Sequence, residues 1–255
     1  YPPLRTLPPL PTIIANIYTQ NVQYCSAMWL FFTLLSVAFW ASVNVMDSTL
    51  VHKYEKNPHI LMWFIGILRL VILLSFPFFT SLQTDLWLLP FASGVLAYFT
   101  ILLYFYVLEH IDASVTQSAW AIESIFLSIL GFAFLSESWS STQNVGAFFI
   151  LAAVFLLAHR HRHRSTPRTV GLLMMLALLG TPASFGTKYS LTLGVGYIQT
   201  LFWYLLGSGF PSAIGPLLHG QTRRRIQQII QSAPPPFFRI LLLNTAISFL
   251  GFATI

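Results

Sequence analysis

Two ionisable residues lie near the middle of long apolar runs and are the first candidates for chemistry. Arg69 is at the centre of one run, and Glu123 is close to the centre of another. An ionisable side chain at the centre of a bilayer costs about 2.5 to 3.5 kcal/mol on insertion scales, so such residues mark solute pathways or ion pairs. Two interpretations stay open. The two residues form a structural ion pair, or one of them faces a watery cavity and meets a solute or a coupling proton.

Further polar residues recur at helical spacing in the same apolar runs. The stripes are Trp40, Asn44 and Asp47; Thr116, Gln117, Trp120 and Glu123; and Thr181, Ser184 and Lys188. Residues at this spacing share one face of a helix, so each polar stripe needs an inward cavity or another stripe. Hydrogen bonding between helices is the alternative for any single residue. Asn44 and Trp120 are the preferred pocket residues.

Aromatic side chains make up 16% of the chain. Most aromatic residues of membrane helices pack inside the bundle or anchor it at the interface. Tyr98 and Trp203 are nevertheless candidates for lining a pocket. The predicted binding residues are Trp40, Asn44, Arg69, Tyr98, Gln117, Trp120, Glu123, Thr181, Ser184, Lys188 and Trp203.

The sequence carries none of the motifs that usually announce catalysis or metal binding. It has no zincin helix, no phosphate-binding glycine loop and no nucleophile elbow. His159, His161 and His163 alternate with arginines, which favours a solvated basic link over a metal site. A single cysteine, Cys25, excludes an internal disulfide and a thiolate cage. We therefore expect no enzymatic activity, no metal and no cofactor.

The amino-acid composition indicates which solvent surrounds the helices that carry these residues. Apolar residues make up 56% of the chain, charged residues only 8%, and the mean hydropathy is +0.71. An average soluble domain carries roughly 25% charged residues. The apolar runs approach the length of about 20 residues that crosses a hydrocarbon core. The prediction is an all-α, polytopic integral membrane helix bundle.

Eight spans can be assigned from these runs. They are Ala27–Met46, His59–Phe79, Leu86–Leu108, Ala113–Leu135, Val145–Ala158, Val170–Tyr189, Gly196–Leu218 and Phe237–Ile255. The fifth is short, and we expect it to extend at its start. Five prolines before Gln23 predict an extended or interfacial tail that does not span.

The spans divide into two groups that open alike. Residues 1–26 form the non-spanning segment, 27–158 a first five-helix repeat, 159–169 a basic linker and 170–255 a partial second repeat. Such halves suggest inverted repeats with a site near the midplane between them. The sequence begins at Tyr1 without a methionine and stops at Ile255 inside an apolar run, which predicts a fragment of a longer protein.

Basic residues concentrate in alternate connections. One side holds Lys53, Lys56, Arg160, Arg162, Arg164, Arg168, Arg223, Arg224, Arg225 and Arg239, and the other holds Arg5 and Lys188. The positive-inside rule makes the first set cytoplasmic. Basic links beside anionic lipid headgroups also explain the net charge of +6, so membrane lipid is an expected partner and nucleic acid is not.

Several short sequence motifs, taken in order along the chain, resemble the EamA-like branch of the drug/metabolite transporter superfamily. The motifs are Phe39–Asn44 in the first span, Ile67–Arg69 in the second, Phe105–Leu108 ending the third, Glu123-Ser124 in the fourth, and Ser136-Glu137, Gln143 and Gly146 before and within the fifth. Ser124 replaces the usual proline, which removes a kink. Leu179-Gly180-Thr181 is a fainter match in the second half.

The resemblance implies a ten-helix carrier of two inverted halves, of which about eight helices are present. Such carriers move small metabolites or drugs by alternating access through a central cavity, and an exporter or exchanger in the plasma membrane is expected. In the family both termini would be cytoplasmic. The positive-inside rule instead places the first set of basic connections in the cytoplasm and the N-terminus outside, so the sidedness of the chain stays open. A homodimer is a further open assembly state.

Two other classes of function stay open. A membrane-embedded enzyme acting on a lipid would need a cluster at one interface, where only Glu109, His110 and Asp112 gather. The other class is a membrane scaffold, or a remnant of a carrier, that does not transport.

Overall fold

The computed structural model describes residues 10–76, 86–138, 140–160 and 167–253, and within these ranges the chain is helical between its turns, with no strand. The helices are α1 (Leu10–Thr49), α2 (Pro58–Leu73), α3 (Leu88–His110), α4 (Ala113–Leu135), α5 (Ser141–Arg160), α6 (Pro167–Thr192), α7 (Tyr197–Ile214), α8 (Gly220–Ser232) and α9 (Pro235–Ala253). A π-helical turn, Leu50–Tyr54, continues α1, and a 3-10 turn, Gly215–Leu218, follows α7.

Six helical segments of the described chain are long and apolar enough to cross a membrane. They are Phe31–Tyr54, Leu88–His110, Ala113–Leu135, Thr169–Thr192, Tyr197–Leu218 and Pro235–Phe252. Large apolar side chains face outward, such as Phe132, 65% exposed, and Phe134, 69% exposed. Polar side chains such as Asp47, Glu123 and Asn244 are buried instead. This inverted distribution fits a lipid solvent, and the chain is a polytopic membrane helix bundle.

The predicted third and fourth spans are confirmed, but the predicted second and fifth spans are not among the six. α2 has only 16 residues and ends at Leu73, short of the predicted Phe79. The α-helix ends in a tighter turn, in which the Leu74 N–H donates to the Val71 carbonyl at 3.2 Å and the Ser75 N–H to the Ile72 carbonyl at 3.0 Å. Residues 77–79 of the predicted span lie outside the described ranges.

α5 begins at Ser141, which confirms the expected extension before Val145. A capping box explains this start. The Ser140 Oγ accepts from the Gln143 N–H at 3.3 Å, and the Gln143 Oε1 accepts from the Ser140 N–H at 2.8 Å. The two bonds satisfy backbone donors that the first turn of the helix leaves open.

Two segments predicted as extended or as links are helical. α1 already begins at Leu10, and Pro11 is tolerated there because the first turn of a helix has no internal donors to lose. The link from Gln221 to Pro236 contains α8, a helix of 13 residues. Its isoleucines Ile226 and Ile229 are buried, while Arg223 and Arg224 are exposed. This amphipathic pattern stabilises a helix by packing one face.

The chain divides into two compact units, residues Tyr1–Val43 with Ala246–Ile255 and residues Asn44–Thr245. In the first unit the Ser36 Oγ donates to the Gly251 carbonyl at 3.3 Å. The Trp40 and Phe252 rings meet edge to face, with centroids 5.0 Å apart. The second unit holds the apolar core and every predicted binding residue except Trp40.

Small residues let three helices of the second unit approach closely. A side chain at Gly94 of α3 would collide with the Tyr204 carbonyl of α7, and one at Gly207 of α7 would collide with the Phe91 carbonyl of α3. Gly66 of α2 meets Ser212 of α7 in the same way. Close contact through small residues is how membrane helices gain packing energy when water supplies no driving force.

Candidate functional site

A buried carboxylate, Asp47, lies on α1 one turn before the π-helical turn. Its side chain is 6% exposed, and its Oδ1 accepts from the Asn244 Nδ2 of α9 at 2.9 Å. One turn earlier, the Asn44 Oδ1 accepts from the Tyr104 hydroxyl of α3 at 3.0 Å. We call Asn44, Asp47, Tyr104 and Asn244 the Asp47 cluster. π-helical turns often occur at functional sites because they re-aim neighbouring side chains.

Arg69 of α2 lies near the Asp47 cluster and not in a salt bridge with Glu123. Its Nη1 donates to the Ser208 Oγ of α7 at 3.3 Å, and Asp47 and Tyr204 are within electrostatic range of the guanidinium. The salt bridges of the described residues are Lys188–Glu137 and Arg225–Glu55. The interpretation of Arg69 and Glu123 as a direct structural ion pair is therefore wrong. The two helices bring them to separate partners.

Glu123 of α4 is 7% exposed and accepts from the Ser184 Oγ of α6 at 2.5 Å. The second carboxylate oxygen, Oε2, is buried and has no hydrogen-bond partner. Gly180 makes this contact between helices possible, because a Cβ at that position would lie 2.5 Å from Oε2. We call Glu123, Gly180 and Ser184 the Glu123 site. A buried carboxylate whose contacts are a hydroxyl and a glycine can still bind a proton or a polar group of a solute.

Arg69 and Glu123 share one electrostatic neighbour. Tyr204 of α7 lies within electrostatic range of both side chains. Ionisable groups of both signs therefore lie near α7. Such an arrangement of charge is expensive in a membrane unless it serves a ligand or a pathway.

The remaining predicted residues have varied surroundings. Trp120 packs against Tyr104 with ring centroids 5.7 Å apart, next to the Asp47 cluster. The Gln117 Nε2 is buried without a hydrogen-bond partner. Thr181 is buried, but its hydroxyl donates to the Ala177 carbonyl of its own helix at 2.7 Å. Tyr98 is 7% exposed and lies in the apolar core.

Three predicted residues have partners outside the Asp47 cluster and the Glu123 site. Trp203 packs against Trp87, with centroids 5.6 Å apart. Lys188 forms an ion pair with Glu137, with 2.6 Å between Nζ and Oε2. Trp40 belongs to the other compact unit, where it packs against Phe252.

Several residues of these contacts are not among the predicted binding residues, including Asp47, Tyr104, Glu137 and Asn244. Asn244 is the one amide in the apolar run of α9, which is the signal that could have indicated it. Asp47 is on a predicted polar stripe, and its burial distinguishes it. Contacts such as Asp47 with Asn244, 197 residues apart, leave no local signal.

Metal chemistry finds no support in the described residues, because no three His, Cys, Asp or Glu side chains converge there. The histidine tract was predicted to be a basic link. His161 and His163 lie outside the described ranges, and nothing of the His159 side chain is described.

The fold and the buried groups define a class of protein, a membrane-spanning helix bundle with ionisable residues in its interior. A family model, the EamA-like transporter family, matches residues 27–159. The chain therefore belongs to the EamA-like transporter family, which is part of the drug/metabolite transporter superfamily, and members of this family are transporters and not enzymes. A search of curated proteins finds no match.

Proposed function

We propose that this protein is a secondary transporter that moves a small metabolite or drug-like solute by alternating access, as an exporter or exchanger. The observation that carries the proposal is Glu123, a buried carboxylate with a hydroxyl partner on one oxygen and no partner on the other. A static scaffold gains nothing from such a group, since burying an unpaired charge or polar atom costs free energy.

The Glu123 site supplies the coupling step in this proposal. Its partnerless oxygen binds a proton or a polar group of the solute, and the occupant leaves when the cavity opens to the other side. Ser184 holds the carboxylate between α4 and α6 during this exchange. Movement of α6 relative to α4 would change the coordination of Glu123 directly, which is how binding and conformation become linked.

The Asp47 cluster supplies the second half of the solute site. Asp47 offers a carboxylate, Arg69 a guanidinium, and Trp120 an aromatic face beside Tyr104. These groups suit a solute that carries both a polar end and an apolar body. The full carrier has ten helices in two inverted halves of five and acts in the plasma membrane in this proposal.

Counterflow in proteoliposomes tests the proposal. Purified protein is reconstituted, loaded with a mixed metabolite pool and exposed to labelled members of that pool. A transporter exchanges at least one labelled compound with saturation, and Glu123→Gln, which keeps the shape of the side chain, lowers that exchange about tenfold through loss of charge-assisted binding. A folded wild-type protein that exchanges no member of a broad pool would contradict the proposal.

A further inference from the structure

A groove between α4, α5 and α6 is lined by none of the residues of the Asp47 cluster or the Glu123 site. Its volume is about 580 Å³, within the range of about 300 to 1,000 Å³ that holds small ligands. Glu137 and Lys188 are its charged groups, Ser124 and Ser128 lie along its α4 wall, and Ile125 and Ile150 supply apolar surface. It is open along one side.

The ion pair in this groove is built into the end of α4. Ser136 adopts a left-handed conformation, with φ of 54°, and the Glu137 N–H donates to the Gly131 carbonyl at 3.3 Å. This arrangement is a helix-terminating turn that fixes the backbone of Glu137. Gly131 has no side chain to displace the pair, since an added Cβ there would lie 3.2 Å from the Lys188 Nζ.

The pair is accessible to a ligand. The side chains of Lys188 and Glu137 are 35% and 39% exposed. Both residues lie near helix ends, Glu137 two residues beyond α4 and Lys188 four residues before the end of α6. Charged side chains near the ends of spanning helices lie at the level of lipid headgroups.

α5 has an exposed apolar surface beside the groove. On α5 the outward residues Val145, Phe148 and Phe149 are 54%, 67% and 65% exposed. Gly146 and Ala147, which are small, line the groove next to Ile150. A ligand with an apolar chain can therefore enter from the side between α4 and α5.

We propose that this groove binds a glycerophospholipid whose zwitterionic headgroup carries a phosphate and a primary ammonium. The phosphate binds the Lys188 Nζ, the ammonium donates to the Glu137 carboxylate, and an acyl chain lies along Ile125 and Ile150. The negative charge of Glu137 would repel the headgroup of a purely anionic lipid. A quaternary ammonium has no N–H to donate to it, so the paired charges select the primary amine.

Lipid binding can be measured by native mass spectrometry of the delipidated full chain. Phosphatidylethanolamine, phosphatidylcholine and phosphatidylglycerol with identical acyl chains are added at equal concentrations. Wild type should retain about tenfold more of the ethanolamine lipid than of the choline lipid, the value of one charge-assisted hydrogen bond. Glu137→Gln should abolish that preference, and Lys188→Gln should reduce retention of all three lipids.

A steric variant and two matched controls complete the experiment. Ala147→Trp fills the groove without altering any charge and should remove the bound lipid, with folding checked by size-exclusion chromatography. Lys56→Gln and Glu109→Gln neutralise residues outside the groove and should retain lipid as wild type does. Equal retention of the ethanolamine and choline lipids by wild type, or unchanged retention by folded Ala147→Trp, would overturn the proposal. Neither result depends on transport.

Discussion

Two glutamates at one helix, Glu123 within α4 and Glu137 just beyond its end, occupy opposite environments. Glu123 is 7% exposed and its partner is a neutral hydroxyl at 2.5 Å. The Glu137 side chain is 39% exposed and its partner is the Lys188 ammonium at 2.6 Å. Burial without a counter-charge destabilises the bundle, whereas an exposed pair costs little and contributes little. The contrast separates a carboxylate inside the bundle, which the proposed transport uses, from one at the surface, where the proposed lipid binds.

The sharpest way to break this contrast is to crowd Glu123. Gly180→Ala places a Cβ 2.5 Å from Oε2, so the carboxylate must move away from Ser184. Because the carboxylate is the end of a flexible side chain and can turn away, the main cost is its hydrogen bond to Ser184, about 1.5 to 3 kcal/mol. We expect a lower thermal midpoint in detergent and a loss of counterflow.

Gly171→Ala on the same helix is the control, because an added Cβ there meets nothing within 4 Å. It should leave the thermal midpoint and counterflow unchanged. If both alanine variants behave alike, close packing of Glu123 against α6 is not what matters.

Removing the hydroxyl partner tests the Glu123 site without adding atoms. Ser184→Ala deletes the only hydrogen bond shown for the Glu123 carboxylate among the described contacts. A hydrogen bond to a charged group contributes about 1.5 to 3 kcal/mol, so counterflow should fall several-fold. Ser42→Ala, whose hydroxyl donates within its own helix at 2.9 Å, should not change it. Equal exchange by Ser184→Ala and wild type would show that the hydroxyl does not hold Glu123.

The exposed pair should respond weakly when one charge is removed. Lys188→Gln should lower the free energy of unfolding by no more than about 1 kcal/mol, since both side chains are more than a third exposed and solvent screens them. Chemical denaturation in detergent measures the change. A loss comparable to that of Gly180→Ala would mean that the pair is as structural as the buried site.

The smallest expected effect is a gain in stability rather than a loss. Ser136 has φ of 54°, a region that glycine adopts at no steric cost. Ser136→Gly should therefore stabilise the end of α4 by up to about 1 kcal/mol and raise the thermal midpoint slightly. A lower midpoint would mean that the serine side chain contributes more than the backbone conformation costs.

The sequence predicted the class of protein and most helices, because composition and run length report the solvent directly. The span predicted at Ala113–Leu135 coincides with α4, and Asn44 and Glu123 each accept a hydrogen bond from another helix. The helix α8 was not predicted, because three adjacent arginines are typical of a solvated link. The burial of Ile226 and Ile229, which stabilises the helix, is visible only in the structure. The partners of Asp47 and Glu123 depend on contacts 197 and 61 residues away, and no local pattern reports them.

In the proposed mechanism, transport depends on Glu123 and not on acidic charge in general. Counterflow of the compound that wild type exchanges should be measured for Glu123→Gln and for Glu109→Gln, a partly exposed residue in the last turn of α3, at matched protein density. We expect a loss of about tenfold for Glu123→Gln and wild-type exchange for Glu109→Gln. Wild-type exchange by folded Glu123→Gln would show that Glu123 does not take part in transport.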